Sequence, residues 1–97
     1  MFTGIIETTG VIKNITVSGT NRSFWIESPI SQELKVDQSV SHNGICLTVE
    51  EMNHNSHKVT AIEETASKTH VSEWKIGDEI NLERSLKLES RLDGHFV

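Results

Sequence analysis

Cys46 is the one cysteine of the chain, and His42 precedes it by four residues within SVSHNGICLTVEEM, Ser39 to Met52. A thiol beside an imidazole can act as a nucleophile with its base, and the same two groups are common zinc ligands. Both roles require the side chains to meet. Asn43-Gly44 supplies the positive φ angles of a two-residue type I′ turn. A hairpin on that turn sets His42 opposite Ile45, Ser41 opposite Cys46, Val40 opposite Leu47 and Ser39 opposite Thr48. His42 and Cys46 then point to opposite faces, so a local dyad is excluded unless a bulge shifts the register.

Metal ligation is not expected. His42, His54, His57, His70 and His95 show neither a C-x-x-C nor an H-x-x-x-H spacing, and the only close pair, His54 and His57, flanks a loop. The faces of the hairpin say more. Val40, Ile45, Leu47 and Val49 make one apolar face, and Ser39, Ser41, Cys46, Thr48 and Glu50 make a small, polar one. That second face is either the solvated side of a half-buried sheet or a shallow pocket, where small side chains leave room for a flat ligand and strand-edge backbone groups bond its rim. Trp25 and Trp74 could stack on such a ligand, although in a small domain tryptophan more often serves core or interface. Glu63 and Glu64 offer a carboxylate pair, but acidic residues ahead of a short helix also suit its dipole. Gly4 permits close backbone approach and is weak as a signal by itself.

The elements that position these residues read as short strands: Gly4 to Thr16, Arg22 to Glu27, Ser39 to His42, Ile45 to Met52, Lys58 to Glu63 and Glu79 to Arg84. Alternating or β-branched runs of this length, most of them separated by turn-forming residues, predict an all-β, six-stranded antiparallel barrel or sandwich. Ser18-Gly19-Thr20-Asn21, Asn53-His54-Asn55-Ser56 and Gly77-Asp78 supply further turns. Two short helical pieces are expected: one with Ser28 as N-cap and Pro29 at its first position, running through Ile30 to Leu34, and one from Thr65 to Val71 with Thr65 as cap. KVDQSV, Lys35 to Val40, and KIGDEI, Lys75 to Ile80, share an outline, which reads as two strands entered alike rather than as a duplication.

With 97 residues, 35% hydrophobic and 24% charged, the chain forms one small soluble domain, marginal enough for association to help it. Fourteen acidic against nine basic residues, with no basic cluster, disfavour nucleic acid and anionic membrane surfaces as partners. A single cysteine, the absence of signal-peptide features in MFTGIIETTG and the absence of an apolar run near ~18 residues point to the cytoplasm. The triplets Asn14-Ile15-Thr16 and Asn21-Arg22-Ser23 then match the glycosylation pattern by coincidence.

Four strings carry a resemblance across the whole chain. MFTGIIE at the N-terminus, SHNGICLTV at Ser41 to Val49, IGDEINLERS at Ile76 to Ser85 and DGHFV at Asp93 to Val97 closely resemble the first half of riboflavin synthase. The resemblance implies one six-stranded Greek-key β-barrel, the N-terminal half of a two-barrel parent chain that assembles as a homotrimer. The parent enzyme, a transferase, dismutates two 6,7-dimethyl-8-ribityllumazine molecules to riboflavin and 5-amino-6-ribitylaminouracil, requiring no metal or further cofactor. Its site forms where an N-terminal barrel meets a C-terminal barrel of another subunit. The stop at Phe96-Val97 accordingly reads as a chain cut from something longer, one that binds lumazine or riboflavin without efficient turnover and pairs with itself as a homodimer.

Carried over by motif, the substrate-binding residues are Gly4, Ile5 and Ile6, then Cys46, Leu47 and Thr48, then by position Thr60, Ala61, Ile62, Glu63, Glu64 and Thr65. They face the ligand largely through backbone groups, with Thr48 adding its hydroxyl. The reaction needs a proton removed from the lumazine 7-methyl group and a nucleophile at C7. Cys46 is either an assisting catalytic group or a small residue against the ring edge. The lumazine proteins, non-catalytic chromophore carriers, share the fold and N-terminal motif, but Cys46 within an intact HNGICLTV fits the enzyme better. A barrel used only for assembly is the remaining alternative.

Overall fold

Phe24 and Ile26, Val40 and His42, Leu47 and Val49, His57, Val59 and Ala61, and Ile80 and Leu82 are spaced by two, and all are at most 5% exposed. Alternate residues of a strand face one side of the sheet, so this spacing puts one face of every strand inward. The computed structural model describes residues 2–85. It consists of β1 (Thr8–Ser18), β2 (Asn21–Glu27), β3 (Ser39–His42), β4 (Ile45–Met52), β5 (Ser56–Ala61) and β6 (Glu79–Arg84). One helix, α1 (Glu63–Lys68), and two single 3₁₀ turns, Ser31–Glu33 and Val71–Glu73, complete the elements. The strands close into an all-antiparallel barrel in the order β1-β2-β5-β4-β3-β6.

The β3–β4 hairpin has the expected register, with Ser39, Val40, Ser41 and His42 opposite Thr48, Leu47, Cys46 and Ile45. Asn43 and Gly44 both have positive φ, 54° and 86°, as a type I′ turn demands. Asn43 does more than turn. Its side-chain oxygen accepts the Asn81 N–H at 2.7 Å and its own N–H donates to the Asn81 carbonyl at 2.8 Å, which ties the hairpin tip to β6.

The barrel is built from two similar halves, β1–β3 and β4–β6. Each long strand carries a bulge where it leaves one neighbour for the next, between Ile12 and Asn14 in β1 and between Val49 and Glu51 in β4. Just before each bulge the same pair of backbone hydrogen bonds forms. Ile12 exchanges them with Gly77 and Asp78, and Val49 with Asp37 and Gln38. Asp37 and Gly77 both have positive φ, and the Lys35 and Lys75 N–H groups both donate to a side chain three residues on, Gln38 and Asp78. The KVDQSV and KIGDEI strings are therefore equivalent positions of a structural repeat, wider than two strands entered alike. Pairing β2 with β5 antiparallel sends the two long connections to opposite ends of the barrel, where they bury Ile30 and Leu34, and Val71 and Trp74. Trp74 is a core residue, set edge-on to Phe24 with ring centroids 5.1 Å apart.

Several boundaries differ from expectation. β1 starts at Thr8 rather than Gly4, because residues 3–7 leave the ladder. β5 runs from Ser56 to Ala61, not from Lys58 to Glu63, and α1 takes Glu63 and Glu64 into its first turn. Thr65 is consequently inside the helix and is not its cap; Ile62 holds the N-cap position without a side-chain bond, and His70 lies beyond the helix. Ser28 is not an N-cap either. Ile30 takes that place before the 3₁₀ turn, since the Ser28 hydroxyl is drawn into a buried polar chain.

That chain runs through the core. The Val40 carbonyl can only accept, so His42 Nδ1 carries the proton it donates at 2.9 Å, and His42 Nε2 accepts from His57 Nε2 at 3.0 Å. His57 Nδ1 then accepts from the Ser31 hydroxyl at 2.7 Å, which accepts from the Ser28 hydroxyl at 2.7 Å. Both imidazoles are fully buried and neutral. Burial lowers the His42 pKa to about 3, helped by the neighbouring His57, and burial alone lowers that of His57 to about 4. Every polar atom of the chain is satisfied, as a buried network requires.

Two predictions follow from the core. An unfolded chain takes up protons on its histidines below about pH 6.5 while the folded barrel does not, so stability is fully present above that pH and is lost as pH falls toward 4. Unfolding free energies from urea titrations between about pH 7 and 5 fall by up to about 1.4 kcal/mol per pH unit per histidine. The double replacement His42→Gln/His57→Gln flattens that limb. Gly10 sits where a Cβ would lie 2.6 Å from Ile26 Cγ2 and 3.1 Å from both the Glu27 carbonyl oxygen and Leu82 Cδ1. Gly10→Ala destabilises the barrel by about 1–3 kcal/mol, read as a lower urea midpoint at constant slope.

Candidate functional site

With the interior filled, the side chains left for function stand on the outer face of β3, β4 and β5. Ser41 opposes Cys46 and Ser39 opposes Thr48 across the hairpin. Val49 pairs with Val59, so Thr48 and Thr60, the next residue on each strand, emerge on the same outer side, and Thr60 pairs with Ser23 of β2. Cys46 and Thr48 are exposed and Thr60 is half-buried. The Thr60 hydroxyl donates to Glu50 at 2.8 Å and so accepts from the Ser23 hydroxyl at 2.8 Å. Lys58 adds ion pairs to Glu51 at 3.3 Å and Glu50 at 3.9 Å. Small hydroxyls and one thiol thus pave a sheet face bordered by a charged cluster.

The other border is the segment 3–7, which lies across the outside of β6 as a strap. Glu83 Oε2 accepts from the Thr3 N–H at 2.6 Å and the Thr3 hydroxyl at 2.8 Å, and Glu83 Oε1 accepts from the Gly4 N–H at 3.1 Å. The Ile5 N–H closes back on the Thr3 hydroxyl at 3.1 Å, and the Glu7 N–H donates to the Leu82 carbonyl at 2.8 Å. Arg84 grips both oxygens of Glu7 and reaches Glu33 at 3.0 Å. Its bonds hold the Glu7 carboxyl below the usual carboxylate range, and Glu7 in turn raises the Arg84 guanidinium. Burial acts to raise the Glu83 carboxyl, but donors from Thr3 and Gly4 outweigh it and hold it low.

Between strap and hairpin lies a groove of about 310 Å³ lined by Gly4, Ile6, Ser41, Asn43, Gly44, Asn81, Leu82 and Glu83. The fold therefore brings Gly4 and Ile6 to the hairpin, while Ile5 stands 73% exposed on the strap. Leu47 and Ala61 point into the core and can offer a ligand only their backbone. Ile62, more than half exposed, and the exposed Glu63 and Glu64 lead into α1, where Glu64 pairs with Lys68 at 3.2 Å; Thr65, half-buried, gives its carbonyl to the Thr69 hydroxyl. Cys46 lies on the outer face and His42 inside, so they form no dyad. Among the described residues no cluster of three His, Cys, Asp or Glu side chains could hold a metal ion. His95 and the DGHFV string lie outside the described residues.

Sequence reasoning missed the Glu83 clasp and the His42–His57 chain. Parity offered a partial signal for each: Ile80 and Leu82 point inward, so Glu83 points out, and Val40 and Val59 share faces with His42 and His57. No local pattern joins residue 3 to residue 83, or 42 to 57.

The closed six-stranded barrel with its strapped outer groove defines a β-barrel domain, and the chain belongs to the lumazine binding domain family, whose family model matches residues 3–85. Among its relatives are the riboflavin synthases of Bacillus subtilis (strain 168), 38% identical over 98 residues, and Escherichia coli (strain K12), 35% identical over 99 residues. Both alignments cover 100% of this chain and 46% of the relative, so the chain spans about half the length of the curated relatives it matches. Solved structures agree. LumP complexed with 6,7-dimethyl-8-(1′-D-ribityl) lumazine superposes with a TM-score of 0.82 at 26% identity, covering 90% of this chain and 49% of LumP. LumP complexed with riboflavin gives 0.81 at 27% identity, over 87% and 46%. No helix among the described residues is long and apolar enough to cross a membrane.

Proposed function

We propose that this chain is the lumazine- and riboflavin-binding N-terminal barrel of a riboflavin synthase, whose full-length form dismutates two 6,7-dimethyl-8-ribityllumazine molecules to riboflavin and 5-amino-6-ribitylaminouracil. The observation that carries the proposal is alignment of the entire chain with riboflavin synthases, together with the likeness to LumP structures holding the lumazine and riboflavin. The ligand ring lies on the outer face, over Cys46 and Thr48. Gly4 to Ile6 border it from the strap, and Thr60 to Thr65 from the β5–α1 corner. Leu47 and Ala61 take part through their backbone alone. Thr48, exposed beside Thr60, offers its hydroxyl, and Cys46 is a ring-edge contact first and a reagent second.

A ligand resting on an open sheet face is half-covered. Completion of the site therefore falls to a second barrel, in the parent chain the C-terminal barrel of a neighbouring subunit in a homotrimer, and here a second copy in a homodimer. The exposed Ile5, Ile6 and Ile62 support such a cover. Such a protein works in the cytoplasm and needs no metal or added cofactor. It binds its ligand without efficient turnover, because half of each reacting pair of sites is elsewhere. LumP-like carriage is the second reading; Cys46 within HNGICLTV favours the enzyme.

Titration of the chain with riboflavin, followed by flavin fluorescence, gives saturable binding in the micromolar range, and no binding at tens of micromolar would sink the proposal. Thr48→Trp, which fills the face, weakens that affinity by about tenfold or more without lowering the melting temperature. A full-length parent that bound lumazine yet released no riboflavin would favour the carrier.

A further inference from the structure

We infer that Glu83 is a positioning residue for the ligand site, the group that holds the Thr3–Ile6 strap in its ligand-ready geometry. The inference rests on the lumazine-binding reading above and extends it to a residue that lies eighty positions from the strap.

The strap has little else to hold it. Thr3, Gly4, Ile5, Ile6 and Glu7 are all exposed, and Ile5 and Ile6 present their apolar side chains to solvent rather than to the core. Gly4 has φ +85° and nothing lies within 4 Å of where its Cβ would stand, so no packing fixes it. From Thr3 to Gly4 the attachment consists of donors converging on one carboxylate: two N–H groups and one hydroxyl, at 2.6, 3.1 and 2.8 Å. Hydrogen bonds to an ionised acceptor are short and about twice as strong as neutral ones, and a bidentate carboxylate fixes orientation as well as distance. Glu83 is itself only 9% exposed and set by β6, where it pairs with Ser41, so a buried anchor on a paired strand holds an exposed segment.

Further along, Arg84 fixes Glu7. Between these two anchors, Ile5 and Ile6 bridge, and Gly4, Ile6, Ser41 and Glu83 line the same groove. A strap free at Thr3 and Gly4 would have to be ordered when ligand binds, and that ordering would subtract from affinity. Glu83 removes the cost beforehand. Among the described residues the donors that reach the Glu83 carboxylate all come from the strap, so it acts through Gly4 and its neighbours.

The test uses the 97-residue chain and riboflavin. Glu83→Ala is expected to weaken riboflavin binding by about tenfold and to remove hydrogen-exchange protection from the Thr3 and Gly4 amides, while the barrel still unfolds in one cooperative transition. Glu83→Gln, which keeps one acceptor oxygen, restores part of both. A chain lacking residues 1–4, which also loses the Gly4 border, binds at least as weakly as the Glu83→Ala variant, and adding Glu83→Ala to it causes no further loss, because Glu83 then has no strap to hold. Additive losses in that cycle, or wild-type affinity in a Glu83→Ala chain whose strap amides have lost protection, would overturn the inference. Amides that stay protected in Glu83→Ala would overturn the clasp itself. Failure of the wild-type chain to bind riboflavin defeats the binding reading instead, and leaves the exchange result to report on the clasp independently.

Discussion

Closure of six strands into a barrel leaves an interior wide enough only for side chains, and every other property of the molecule depends on that limit. Ile12, Phe24, Ile26, Val40, Val49, Val59, Ala61 and Leu82 are wholly buried, and the two connections cap the ends with Leu34 and Trp74. A filled barrel cannot hold a ligand within. The proposed site is accordingly on the outer surface, where a flat sheet needs borders; the strap, held by a carboxylate, and the β5–α1 corner, held by a short helix, are the borders that the proposal assigns.

Polar groups inside such a barrel must satisfy each other. The Val40 carbonyl, His42, His57, Ser31 and Ser28 do so in a single direction of donation once burial keeps both imidazoles neutral. This chain links β3, β5 and the first connection, and it explains the displaced N-cap at Ser28. It stabilises one arrangement of the barrel at neutral pH through geometry that protonation would break. The half-repeat adds order of a different kind. Equivalent bulges in β1 and β4 let each long strand serve two neighbours, and equivalent turns at Asp37 and Gly77 aim the connections back into the ladder.

Much of this was legible in order of locality. The β3–β4 hairpin read correctly in every pair, because Asn43-Gly44 admits one turn type and period two does the rest. Six strands and two helical pieces were legible too, though helix boundaries slipped where neighbours competed: Glu63 and Glu64 favoured an earlier start for α1, and the buried network claimed Ser28. The repeat was nearly invisible because it conserves backbone conformation, Asp37 against Gly77 and Leu34 against Trp74, rather than residue identity. Site residues came from motif resemblance, and periodicity alone left the polar hairpin face undecided between solvent and ligand.

The sequence by itself determined which side of the β3–β4 hairpin is apolar, that Cys46 and His42 diverge, and that the chain resembles a lumazine-binding half-enzyme. These depend on neighbours two to seven residues apart, whose geometry the backbone dictates. Only the tertiary structure decided that Glu83 holds Thr3 and Gly4, that Arg84 joins Glu7 to Glu33, and that His42 meets His57. Those contacts arise where barrel closure brings distant strands side by side, and closure is a property of all six strands together.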